Sequence, residues 1–129
     1  MARIVLIDDD PMIHDLVGLS LDQKHSVKAV AEGEDAIEAI HTVQPDLIIL
    51  DCALPDLPGN VILSDIRGSE LLKTIPVLVL TARRSEWHRR AMLDLGADDY
   101  ISKPFDPAEF AGRVDALLQK GSAGTSGTM

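Results

Sequence analysis

Three short runs constrain this chain more than any other feature: "IVLI" at 4–7, "LIIL" at 47–50 and "VLVL" at 77–80. Each is continuously apolar and made of branched aliphatic residues. A strand with one wet face alternates apolar and polar side chains. An unbroken apolar run of this length instead marks a strand covered on both faces, as in a parallel sheet between layers of helices. Two weaker segments, "VKAVA" (27–31) and "DYIS" (99–102), are shorter or more polar, as edge strands tend to be. Pro76 stands just before "VLVL", where a strand tolerates proline.

Helical periodicity fills the intervals. Ile13, Leu16, Val17 and Leu21 share one helix face, and Ala36, Ile37, Ile40 and Val43 share another. Ile62, Leu63 and Ile66 predict a short third helix, and Ala91, Met92 and Leu95 a fourth over 85–95. In the fifth, Asp106 caps, Pro107 takes the first helical position and Glu109 completes a capping box. Phe110, Val114, Leu117 and Leu118 follow as its apolar stripe. Strands alternating with helices predict an α/β fold: a doubly wound, five-stranded parallel sheet with right-handed crossovers, flanked by five helices. With the second and fifth strands at the edges, the simplest order is 2-1-3-4-5, the flavodoxin-like arrangement.

The 129 residues suit one domain, over residues 1–120, followed by "GSAGTSGTM" (121–129), a flexible tail or linker by composition. A net charge of −9 argues against affinity for nucleic acid or for an anionic membrane. One cysteine excludes an intrachain disulfide and points to a reducing compartment. The apolar run at 4–7 is too short for a signal peptide, and no stretch nears the ~20 apolar residues of a membrane span. The expectation is a cytoplasmic, acidic, single-domain protein.

Polar residues follow the strands. Asp8, Asp9 and Asp10 come after the first, Asp51 after the third, Thr81 after the fourth and Lys103 after the fifth. All carboxyl ends of a parallel sheet lie on one side, and ligands bind where the strand order reverses, between the first and third strands. Asp8, Asp9 and Asp51 are therefore expected to face one another. Three carboxylates in one pocket ask for a hard divalent cation, and Mg²⁺ suits a site with few carboxylates and several waters. A carboxylate beside such a cation is a nucleophile for phosphoryl groups, with Lys103 and Thr81 placed to stabilise the transferred oxygens. There is no Walker loop, no His/Cys metal spacing and no G-x-S-x-G. Asp10, just before Pro11, reads as the N-cap of the first helix.

"VLIDDDP", "PDLIILDCALPDLPG", "IPVLVLTA" and "GADDYISKPF", in that order, resemble the receiver domain of two-component response regulators over residues 3–119. The resemblance implies that Asp51 is the phosphoacceptor, that Asp9 ligates Mg²⁺ directly and that Asp8 acts through a metal-bound water. It implies the Ala53 backbone carbonyl as a further ligand and Lys103 as the contact to the phosphoryl group. Thr81 and Tyr100 would move together as a switch, Ala53 and Arg83 would tune the acyl-phosphate lifetime, and the Lys103–Pro104 bond would be cis. The implied partners are a histidine kinase or histidine phosphotransfer protein. A target, output domain or second copy would dock on the fourth helix, fifth strand and fifth helix.

Several features depart from the family pattern. Cys52 follows the acceptor where larger residues are frequent, "PGN" (58–60) replaces a more usual turn, and Arg83, Arg84, Arg89 and Arg90 make the start of the fourth helix basic. Trp87 among those arginines reads as a charged solvated face or as a recognition patch. Cys52 reads as a small buried hydrophobe. His14, His25, His41 and His88 receive no metal or phosphotransfer role. Two other readings stand beside the signalling module. A metal-dependent phosphohydrolase would carry an aspartate at position 53, where this chain has alanine. A phosphorylation-independent interaction module would not need the acidic cluster with Thr81 and Lys103.

Overall fold

The computed structural model describes residues 2–21, 24–83 and 85–127, of which 121–127 are described as helical backbone alone. The elements in chain order are β1 (Ala2–Ile7), α1 (Pro11–Leu21), β2 (His25–Val30), α2 (Ala36–Val43), β3 (Leu47–Leu50), α3 (Gly59–Gly68), β4 (Val77–Thr81), α4 (Glu86–Asp94), β5 (Asp99–Ser102) and α5 (Pro107–Gly127). A single 3-10 turn, Gly33–Asp35, leads into α2. All strand pairs are parallel and the order is β2-β1-β3-β4-β5, as the apolar runs predict.

Both faces of the sheet are covered. Every residue of the three apolar runs is 0 % exposed. Side chains alternate between faces along each strand. Val5, Ile7, Ile48, Leu50, Val77 and Val79 therefore pack with α2, α3 and α4, while Ile4, Leu6, Leu47, Ile49, Leu78 and Leu80 pack with α1 and α5. Burying each such side chain stabilises the fold by about 1.5–3 kcal/mol. β2 keeps half-exposed residues, as an edge strand should.

Several boundaries differ from expectation, each for a physical reason. β2 starts at His25, ahead of the apolar segment, because its ladder with β1 runs from Ala2↔His25 to Ile7↔Val30. The Ala2 N–H also donates to His25 Nδ1 at 3.2 Å. Helix α2 ends on Gln44, at φ 52°, whose N–H bonds the Ile40 carbonyl at 2.9 Å. Left-handed caps favour Gly or Asn, so glutamine gave no stop signal. Leu95 falls outside α4 and is 38 % exposed, which leaves Met92 as that helix's buried anchor.

The capping expectations hold in part. Asp10 Oδ1 accepts from the Met12 N–H at 2.9 Å, as an N-cap does. Asp106 Oδ2 accepts from the Glu109 N–H at 3.0 Å, but the Glu109 carboxylate pairs with Arg113 Nη2 at 3.3 Å, away from the cap. Helix α5 continues to Gly127, through most of the stretch that composition marks as linker. Extending an existing helix fixes one residue per bond and needs no new nucleus. Arg84 and residues 128–129 lie outside the described residues. Among the described residues, no helix is long and apolar enough to cross a membrane.

Candidate functional site

The site forms where β1 and β3 end side by side. Ile7 pairs with Leu50, so the next residues, Asp8 and Asp51, are neighbours across the sheet. The Asp8 N–H donates to the Val30 carbonyl at 3.0 Å, and the Asp51 N–H donates to the Ile7 carbonyl at 2.9 Å. Asp8 is 0 % and Asp51 4 % exposed. Asp8 Oδ1 accepts from the Asp10 N–H at 2.9 Å, and Asp51 Oδ1 accepts from the Ala53 N–H at 3.1 Å. Asp9, between Asp8 and Asp10 in the bend that joins β1 to α1, is exposed.

Lys103 enters from beyond β5. Its backbone N–H donates to the Thr81 carbonyl at 2.7 Å, and the peptide bond to Pro104 is cis, as the resemblance implies. Its Nζ lies 2.7 Å from Asp8 Oδ2 and 3.3 Å from Asp51 Oδ2. Thr81, the last residue of β4, is fully buried, and its Oγ1 accepts from the Arg83 N–H at 3.3 Å. Ala53 and Arg83 are both exposed, one following each flanking strand.

Charge is concentrated and poorly hydrated here. Burial pushes the Asp8 carboxyl above its ordinary range and the Asp51 charge adds to this, against the Lys103 and Asp10 hydrogen bonds. Burial opposes the Lys103 charge, but hydrogen bonding and attraction from Asp8 and Asp51 outweigh it and raise its pKa. Burial, with the Asp51 charge, pushes the Cys52 thiol up to about 12. Cys52 is a neutral, buried thiol, in line with its reading as a small hydrophobe.

The residues fit a hard divalent cation. Asp8, Asp9 and Asp51 each offer a carboxylate oxygen, and these oxygens lie within 4.8 Å of one another. Among the described residues, three carboxylates face the Lys103 ammonium, so the pocket keeps an excess of negative charge that a cation would offset. The donor set is all oxygen, which suits Mg²⁺ and not softer metals.

Tyr100 is 7 % exposed, more buried than an edge strand usually allows. Its hydroxyl donates to the Arg83 carbonyl at 3.2 Å and lies 2.7 Å from His88 Nδ1. The two rings meet edge to face, 5.7 Å apart. Two histidines given no role from sequence thus touch the site's surroundings. The His14 Nε2 bonds the Asp8 carbonyl oxygen, and His88 bonds Tyr100. The first was legible in principle, since His14 sits one turn past the N-cap Asp10. Nothing in the sequence ties His88 to Tyr100 across a loop. Trp87 is 78 % exposed on α4.

Fold and site together define a class: a flavodoxin-like α/β domain with an acidic pocket and a lysine at the carboxyl end of its sheet. The family model of the response regulator receiver domain matches residues 4–115, and the chain belongs to that family, a signalling domain of two-component systems. It is 41% identical over 121 residues to the DNA-binding dual master transcriptional regulator RpaA of Synechocystis, covering 93% of this chain and 50% of RpaA. It is 38% identical over 119 residues to the alkaline phosphatase synthesis transcriptional regulatory protein PhoP of Bacillus subtilis, covering 92% and 49%. The chain therefore spans about half the length of these relatives. Among solved structures, a response regulator from Chloroflexus aurantiacus superposes with a TM-score of 0.86 at 34% identity, covering 92% of this chain and 98% of that one. The BeF3-activated receiver domain of Klebsiella pneumoniae RstA superposes at 0.81 with 32% identity, covering 90% and 97%.

Proposed function

We propose that this domain, ending near residue 120 with 121–129 as a tail or linker, accepts a phosphoryl group from a phosphohistidine onto Asp51. The observation that carries this reading is the meeting of three carboxylates within 4.8 Å with Lys103 Nζ 2.7 Å from Asp8 and 3.3 Å from Asp51. Asp8, Asp9, Asp51 and the Ala53 carbonyl would hold Mg²⁺, which when bound neutralises charge on the phosphoryl oxygens. An Asp51 carboxylate oxygen bonds phosphorus as the P–N bond to the donor imidazole breaks, giving an acyl phosphate. The Lys103 ammonium then leaves its carboxylate partner for a phosphoryl oxygen. The Thr81 hydroxyl turns toward another, and Tyr100, already buried against His88 and the Arg83 carbonyl, moves with it as the other half of the switch. Ala53 and Arg83 flank the path of the hydrolytic water and set the lifetime of the acyl phosphate.

Signalling follows from that change. The donor is a cytoplasmic histidine kinase or a histidine phosphotransfer protein. The surface of α4, β5 and α5 shifts between two packings, and phosphorylation biases them by a few kcal/mol toward docking a target, an output domain or a second copy. The net charge of −9 argues that this domain itself does not bind nucleic acid. Incubation with acetyl phosphate and MgCl₂ is expected to add one phosphoryl group by intact mass, and Asp51→Asn to add none. An unchanged wild-type mass would overturn the proposal.

A further inference from the structure

Helix α2 begins without a cap of its own. Glu32 stands at the N-cap of the 3-10 turn and Asp35 at that of α2, and neither side chain makes a capping bond. Free N–H groups at a helix entry need acceptors. Two of them find one far along the chain. The Gly33 N–H donates to Asp56 Oδ1 and the Glu34 N–H donates to Asp56 Oδ2, both at 2.9 Å. These donors hold the Asp56 carboxyl below its usual range. They do so in acidic company, where Glu34, Asp35 and Asp56 help to push the Glu32 carboxyl up.

Asp56 lies in the segment that joins β3 to α3, the segment that begins at Asp51 and carries Ala53. Its base is closed by the Gly59 N–H on the Cys52 carbonyl at 3.2 Å. A Cβ on Gly59 would stand 2.5 Å from Cys52 Cα and 3.1 Å from the Asp51 carbonyl oxygen, so the fit there admits only glycine. At the other end, a Cβ on Gly33 would stand 2.8 Å from Leu57 Cβ. The segment is thus held at two points, by Gly59 beneath the acceptor and by Asp56 against the entry of α2.

We infer that Asp56 is a positioning residue for the cation site: by capping the 3-10 turn that leads into α2 from a distance, it fixes the 52–58 segment and with it the Asp51–Ala53 turn. This rests on the Mg²⁺ reading given above. Asp56 is not among the clustered carboxylates, so it acts through the backbone of its segment.

The test is Mg²⁺ titration calorimetry on the whole chain, with melting in EDTA measured alongside. Wild type is expected to bind Mg²⁺, and Asp56→Ala to weaken binding about tenfold, as loss of an outer support of a metal site typically does. Adding Glu32→Ser to Asp56→Ala supplies the 3-10 turn that leads into α2 with a local cap. That double variant is expected to recover the melting temperature but not the Mg²⁺ affinity. Recovery of both would show Asp56 to be a helix cap only and overturn the inference, as would an unchanged Kd in Asp56→Ala. If Asp56→Ala does not fold, Asp56→Asn keeps one acceptor oxygen, and an affinity equal to wild type would overturn the inference equally. A wild type that fails to bind Mg²⁺ overturns the functional proposal itself, an outcome distinct from wild-type binding with no change in the variants.

Discussion

Lys103 supplies a cation that faces the two buried carboxylates directly, at 2.7 Å from Asp8 and 3.3 Å from Asp51. Removing one partner of a buried ion pair leaves uncompensated charge and costs about 3–5 kcal/mol. Lys103→Ala is therefore expected to lose stability within that range in EDTA, read by urea unfolding near neutral pH. His88 contributes one pH dependence. Burial, with Arg83 nearby, lowers its pKa from 6.5. The folded state thus holds fewer protons than the unfolded chain between the two pKa values. Stability from neutral His88 is complete above 6.5 and is lost as the pH falls through the lower folded value. Wild type should lose more stability than His88→Gln between about pH 7 and about pH 5. Equal losses in the two proteins would remove His88 as the cause.

At the scale of elements, Arg67 binds two connections together from the last turn of α3, the one before β4 and the one before β5. Its Nε donates to the Gly96 carbonyl at 2.9 Å, and its Nη1 to the carbonyls of Ile75 at 2.7 Å and Lys73 at 3.1 Å. Its Nη2 meets Asp98 Oδ2 at 2.9 Å, and that same oxygen accepts from the Val77 N–H at 2.8 Å. Gly96, at φ 117°, lies where a Cβ would stand 2.9 Å from the Arg67 side chain. Arg67→Ala is expected to cost roughly 2–4 kcal/mol in urea unfolding, since several partly buried acceptors lose their donor together. Arg67→Lys should recover little of this, because one ammonium cannot span a planar fork's partners. The strands and helices were legible from apolar runs and periodicity. Arg67 was not, since an arginine in a last helical turn looks like any charge placed against the helix dipole. The remote cap on α2 escaped for a related reason: Asp56 is local to a loop, and its donors lie in another one.

At the scale of the whole molecule, the fold gathers three carboxylates at one end of the sheet, with the Lys103 ammonium set against them. Binding a cation there should stabilise the native state alone. At a hundredfold excess over Kd this amounts to about 2.7 kcal/mol. For a domain this size that is a rise of roughly 10 °C in melting temperature, read by calorimetry in MgCl₂ against EDTA. Absence of any rise would argue against a cation site. The sequence by itself determined the sheet, its order and the side of it that gathers Asp8, Asp51, Thr81 and Lys103. Apolar periodicity and the direction of a parallel strand are local properties that fix where each strand's end must lie. Only the tertiary structure decided which partners those residues meet: Lys103 on Asp8 as well as Asp51, His88 on Tyr100, Asp56 on the entry of α2. Each of these contacts joins segments from separate connections. A side chain's partner there depends on how packed elements bring loops together, which no local pattern in the chain records.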